Sequence, residues 1–425
     1  LTEPIRSHPA FARLPRRLTI SFPLWLLYAT PGAYSPYYDI DAVLRAHAER
    51  GFNCLRIDSG VGLIHDADGR RRPPFFVSDM FGEYEKLPRQ QHVTGDGGPC
   101  DLLSRLIEVC TCARRYGIVL ILSQWYYLHT YWFHAACDRR AAELFAIPPQ
   151  ERIPVFARFW HYLLQELETR GLDGTIAFVE LFNEVNDHPY LCGSVRWGSN
   201  RNALTDEEAA AYRAQHEEAI RWLKAAHPQI LFAYDAAGPH QVEATLPPGA
   251  QVYNFHSYYL WSIYNRTFDA HPEWFMGKIT PEDVAGSRRG RLPAAPDWYR
   301  NIARHHDLDP ARLGEVEEAL EARLADERPR YVELMEKNLA AAQAAAGSRP
   351  MVCGEGVSYI CSKALLWEER SAAYWSLLEE MIDRYREAGL WGTVIRTCCG
   401  PEDPSWTMCQ ERLLALNRRF LGGEA

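Results

Sequence analysis

The sequence predicts an α/β protein folded as a (β/α)8 barrel, with long βα loops after strands 2, 3 and 6. Two observations predict it. Eight short apolar runs recur along the chain, and amphipathic helical segments lie between most neighbours. Alternation of this kind makes a parallel sheet wrapped in helices. The runs are also near-continuously apolar rather than alternating, as strands buried on both faces are.

In chain order the expected strands span 18–25, 52–57, 118–123, 175–182, 230–234, 251–256, 350–355 and 392–397. Helices are expected over 40–50, 102–116 and 155–170, each followed by a glycine able to take the left-handed position past a helix end: Gly51, Gly117 and Gly171. Thr205 is a plausible N-cap for a helix that opens at Asp206 and runs to about Ala226. Residues 315–345 hold one or two more helices, 371–388 precede the last strand, and 409–420 close the chain.

Three loops are unusually long: 59–99, 125–149 and 258–310. All follow strand C-terminal ends, the face on which barrel enzymes build their sites. Long loops there read as binding walls rather than linkers. No Ser/Gly-rich or Pro-rich linker divides the chain. Residues 1–425 are therefore expected to form one barrel domain, with a short N-terminal extension 1–17 and a long insertion at about 258–345.

Composition narrows the class. Hydrophobic residues make up 47% and charged residues 24%, so a large core needs no covalent staples. The net charge of −9 argues against a nucleic-acid surface. No run of 18 apolar residues suggests a membrane span. The 13 Trp and 22 Tyr suit sugar recognition, although packed aromatics would give the same count. The 11 Cys show no paired zinc spacing, and the N-terminus has no signal-peptide pattern. A reduced, cytoplasmic chain is expected, with secretion left open.

The chemistry sits at strand ends. Asn183-Glu184 closes the fourth run, where a carboxyl among apolar neighbours can act as a general acid. Glu355, between Gly354 and Gly356, closes the seventh. Each alone reads equally well as a polar strand end or a turn. Together, the two can face each other across a barrel mouth, as the paired carboxylates of retaining glycosidases do.

With Arg56 near the end of the second strand and His256-x-Tyr258 ending the sixth, the sequence resembles clan A glycoside hydrolases, the cellulase-like, family 5 type. The resemblance covers roughly 18–406. It implies Glu184 as acid/base and Glu355 as nucleophile. It also implies Asn183 on the sugar's 2-hydroxyl, Arg56 and Tyr258 holding the nucleophile, and His256 lining the same subsite. The chain departs from the pattern in two places. The third strand ends Ser123-Gln124-Trp125 where a His is common, and the eighth lacks the usual Trp at its end. Trp406 or Trp125 is expected to fill that role, with Gln124 beside the sugar. Asp235 and Asp58 are expected to bond hydroxyls or to serve as turn residues. His65, His129 and His134 have no tight ligand spacing, so no metal is expected, and no cofactor is implied.

The expected activity is retaining hydrolysis of β-glycosidic bonds, exo-acting on small oligosaccharides or glycosides because the long loops suggest a walled pocket. An endo-β-glucanase or mannanase is the nearest alternative. A non-catalytic carbohydrate-binding barrel and a metal-dependent barrel enzyme are more distant ones. The expected partner is a carbohydrate, with no nucleic acid and no membrane.

Overall fold

A computed structural model describes residues 8–23, 26–32, 35–78, 95–125, 140, 143–144, 146–185, 205–240, 242, 244–280, 303–357, 364–397 and 400–423. Its strands are β1 (Leu18–Ser21), β2 (Cys54–Asp58), β3 (Phe75–Ser78), β4 (Gly97–Cys100) and β5 (Val119–Ser123), followed by β6 (Ile176–Glu180), β7 (Phe232–Ala236), β8 (Val252–Ser257), β9 (Met351–Gly356) and β10 (Gly392–Val394). All except β3 and β4 form one closed barrel, in which β1 pairs in parallel with both β2 and β10. Spatial order equals chain order around the ring, so each barrel strand lies beside the next one in sequence.

Each expected strand is present, mostly shorter than its apolar run. β1 stops at Ser21, just before Pro23, which has no N–H for a ladder. The helical layer follows the sequence closely. Asp101 caps helix Leu102–Tyr116 by accepting from the Ser104 N–H, and left-handed Gly117 ends it. Thr205 and Glu208 close a capping box on helix Asp206–Ala226. Residues 315–345 belong to one helix, Leu313–Ala346, with Pro329 on its exposed side. There the backbone carbonyl that loses its partner is accessible to water.

The long loops are structured where described. Within 59–99 lie a short helix, Val61–Ile64, and the antiparallel pair β3–β4. After β8, helix Trp261–Ala270 leads to a bridge between Phe275 and Leu308. The Asp307 carboxylate ties that bridge down, accepting from the N–H groups of Gly277, Lys278 and Ile279.

Two cores result. The larger lies between strands and helices. The smaller fills the lower barrel with Leu18, Ile20, Cys54, Ile121, Phe178, Ala233, Val252 and Val352. Trp391 and residues Ala10, Phe11 and Leu14, in and just after the N-terminal helix Ala10–Arg13, pack against it at the barrel floor. Cys54, Cys100, Cys110, Cys112, Cys353 and Cys409 are free and buried. Among the described residues no helix is long and apolar enough to cross a membrane.

Candidate active site

Strand periodicity builds the site. Side chains two apart on a strand share a face, so the residues that continue the apolar interior upward point inward too. Phe178 is followed by Glu180, Ala233 by Asp235, Cys54 by Arg56, and Val252 by Asn254 and then His256. The barrel interior thus changes from apolar to charged toward the C-terminal strand ends.

Arg56 is the hub, fully buried. Its Nε donates to Glu180 at 3.0 Å and Nη2 reaches the same carboxylate at 2.8 Å. Nη2 also meets Asn183 Oδ1 at 2.7 Å and Asp235 Oδ2 at 2.9 Å, while Nη1 donates to Glu355 Oε1 at 2.5 Å. Phe22 and Trp125 lie over the guanidinium, 5.0 and 4.6 Å from Cζ to ring centroid. Burial alone would lower its pKa, but the facing carboxylates overcome that and raise it further.

Glu355 is 7% exposed, and its second oxygen accepts from the Tyr258 hydroxyl at 2.5 Å. Burial pushes its pKa up, while His256, Arg56 and the Tyr258 bond oppose that. The next residue, Gly356, has its N–H on Thr397 Oγ1 at 2.7 Å.

Glu184 follows β6 in a left-handed conformation, φ +49°, uncommon for a residue with a side chain. Its backbone N–H is held by Asp235 Oδ2 at 2.9 Å. Its carboxylate lies 2.7 Å from His256 Nδ1. The His256 ring reaches across the site: Nε2 is 3.1 Å from Asp235 Oδ1 and 3.5 Å from Glu355 Oε1. Burial would lower the His256 pKa, but Asp235 and Glu355 raise it to about 10. One ligand-capable atom from each of Glu184, His256 and Glu355 lies within 4.8 Å of the others. A metal there would need an unprotonated His256 ring nitrogen, and the surrounding carboxylates favour the protonated ring.

The structure therefore brings Asn183, Glu184, Arg56, Asp235, His256, Tyr258 and Glu355 into one cluster. Other expected site residues lie differently. Trp125 is 4% exposed and packs on Arg56, which leaves little ring face for a sugar. Gln124 is 2% exposed, and its side-chain amide donates to the Trp125 carbonyl. Trp406 is a correction. It packs in the helical layer, 4.5 Å from the His47 ring and 4.2 Å from the Arg50 guanidinium, because its loop turns back into helix Pro404–Met408. Asp58 is a turn residue. It accepts from the Gly60 N–H and the Tyr28 hydroxyl, and burial raises its pKa to about 7 against those bonds. His65 is buried in a bridge with Arg71, and positions 129 and 134 lie outside the described residues.

Glu180 and Asn254 were not singled out from the sequence. Asn254 Nδ2 donates to Glu180 Oε1 at 2.6 Å. Burial pushes the Glu180 carboxyl up to about 7, against the pull of Arg56. The available signal was a lone acid inside an otherwise apolar strand, IAFVE. Such a residue is almost never fully buried unless paired.

A closed parallel barrel with two glutamates meeting at its mouth, one backed by Arg and Tyr, goes with a cellulase-like glycosidase. In particular, the chain belongs to the family described as sugar-binding cellulase-like, whose profile matches residues 22–421. No curated protein matches the sequence. Among solved structures, one from Parabacteroides distasonis ATCC 8503, described as a candidate glycoside hydrolase, is 19% identical with a TM-score of 0.60, covering 95% of this chain and 94% of its own. A glycoside hydrolase family 5 enzyme from Prevotella bryantii B14 is 14% identical, covers 96% and 97%, and has a TM-score of 0.49. An endo-1,4-β-D-mannanase from Thermotoga petrophila RKU-1 is 13% identical, covers 89% and 87%, and has a TM-score of 0.44. At these identities the first likeness concerns the fold alone.

Proposed function

We propose that the chain hydrolyses β-glycosidic bonds with retention, by double displacement, and acts from a chain end on small oligosaccharides or glycosides. The observation that carries this reading is the spacing of the glutamates. Their nearest oxygens lie within 4.8 Å. Retaining enzymes hold their carboxyl groups about 5–5.5 Å apart, whereas inverting enzymes leave about 6.5–9.5 Å for a water.

In the proposed first step a Glu355 oxygen attacks the anomeric carbon. The bond to the leaving oxygen breaks, and that oxygen takes the Glu184 proton. In the second step Glu184 removes a proton from water, which attacks the same carbon and releases Glu355. Arg56 and the Tyr258 phenol hold Glu355 as an anion through charge-assisted bonds. The left-handed turn at Glu184 aims its carboxyl across the mouth. Asn183 is fixed by Arg56, which supports a part for its amide in reading a sugar hydroxyl. Exo action on small substrates is supported by the length of the loops after β2, β5 and β8, which would wall a pocket.

A panel of aryl β-glycosides, with product anomers followed by NMR, tests this reading. Hydrolysis of at least one aryl glycoside with the β-anomer formed first is expected. An α-anomer formed first would refute retention. Activity confined to internal bonds of long polysaccharides would refute exo action.

A further inference from the structure

We infer that Asp235 is a positioning residue that keeps His256 a doubly protonated imidazolium, so that one fixed cation faces both glutamates throughout the reaction. The sequence leaves Asp235 as a contact to a sugar hydroxyl or a turn residue, and the family resemblance places His256 in the lining of the same subsite. Geometry speaks against that part for Asp235. It is fully buried, and its Oδ2 already accepts from Arg56 Nη2 and from the Glu184 N–H, each at 2.9 Å. Its other oxygen faces His256 Nε2 at 3.1 Å.

The proton count follows from the ring. A neutral imidazole has one N–H and one bare nitrogen. His256 has a carboxylate on each side, Glu184 at 2.7 Å from Nδ1 and Asp235 at 3.1 Å from Nε2. Hydrogen on both nitrogens makes the ring a cation facing both carboxyl groups, with Nε2 and Asp235 Oδ1 forming an ion pair at 3.1 Å rather than an aligned hydrogen bond. The other groups facing the ring agree. Glu355 Oε1 lies 3.5 Å from Nε2, and Tyr258 presents its ring at 6.4 Å between centroids. Arg56, the nearby competing cation, is turned toward Asp235, Glu180 and Glu355. Burial works against the charge, and Asp235, then Glu355, overcome it.

The catalytic consequence rests on the roles proposed above for Glu184 and Glu355. When Glu355 bonds the anomeric carbon, its negative charge is lost to the ester. At the same step Glu184 gains a negative charge by giving its proton to the leaving oxygen. The charge thus crosses from one side of His256 to the other. An imidazolium between them stabilises both states without transferring a proton of its own.

The test begins with the whole chain labelled with nitrogen-15 at its 15 histidines. The variant His256→Gln identifies the resonance. At about pH 8, above the ordinary histidine pKa of about 6.5, both nitrogens of His256 should be protonated in the wild type. In Asp235→Asn the ring should be neutral at that pH. A wild-type His256 with one bare nitrogen at about pH 8 overturns the inference, whether or not the variant folds. So does a doubly protonated ring in Asp235→Asn. This measurement needs no turnover, so it stands or falls apart from the proposed activity.

A pH–rate profile supplies the second readout. Asp235→Asn should move the alkaline limb of kcat/KM to higher pH, because Glu184 loses the cation beside it while the deleted anion lay on the far side of the ring. A merely structural loss would lower the rate at every pH without moving that limb. A limb that stays in place while His256 turns neutral overturns the catalytic consequence and counts against Glu184 as the acid.

Discussion

Arg56 sets one positive charge against three carboxylates, Glu180, Asp235 and Glu355. Because Arg56 is fully buried, removing it leaves those charges facing each other. Arg56→Met should therefore destabilise the fold by about 3–5 kcal/mol, the range for breaking a buried ion pair from one side. The shift in urea midpoint measures it. Glu184→Gln is a subtler change, because the amide keeps the shape and loses the proton. Its kcat on substrates with poor leaving groups should fall by about 10²–10⁴-fold, the range for a general acid, with an unchanged melting temperature. At this scale the sequence was informative about charge and weak about contact. Glu184, Glu355, Arg56 and Tyr258 were legible because each is a reactive type at a strand end. Glu180 was not, because its partners Arg56 and Asn254 come from β2 and β8, and no spacing within β6 points to them. Trp406 failed for the same reason in reverse: a free-standing Trp after the last strand says nothing of Arg50 and His47, which bind its ring elsewhere.

Among the elements, β9 carries a tight constraint just before Glu355. A Cβ on Gly354 would lie 2.3 Å from Asn254 Nδ2, the group that holds Glu180. Gly354→Ala should cost about 1–3 kcal/mol by overpacking, measurable in urea denaturation, and should lower activity because Glu355 is the next residue. The barrel strands were legible because burial on both faces leaves an apolar run. The β3–β4 pair was not, because β4 reads GGPC, a sequence of strand breakers. Its pairing depends on β3 and on the segment at Thr30 and Pro31, where the Pro31 carbonyl accepts from the Asp96 N–H just before the strand and Thr30 Oγ1 accepts from the N–H of Gly97 at its start.

Across the whole molecule, the barrel is closed at one end and charged at the other. Trp391, 1% exposed, packs on Phe11 and Phe178 and donates its indole N–H to the Pro15 carbonyl. Trp391→Ala should therefore cost about 3–5 kcal/mol in equilibrium unfolding and loosen the N-terminal helix. Acid should act globally too. Burial lowers His216 to about 3 and His47 to about 4, so both stay neutral in the folded state while the unfolded chain binds protons below its ordinary value. The contribution of these two histidines to stability is thus complete above about pH 6.5 and is lost as pH drops toward 4. Neither ring nitrogen of His216 has a hydrogen-bond partner among the described residues, and Phe182, Tyr212 and Tyr234 surround it. His216→Phe should flatten that acid slope in melting temperature. The central claim concerns what the charged end does, and a covalent trap tests it most directly. Incubation with a 2-deoxy-2-fluoro glycoside of an accepted sugar, followed by peptide mapping, should place the label on Glu355. A label on another residue, or full inactivation with no covalent adduct, would contradict the account.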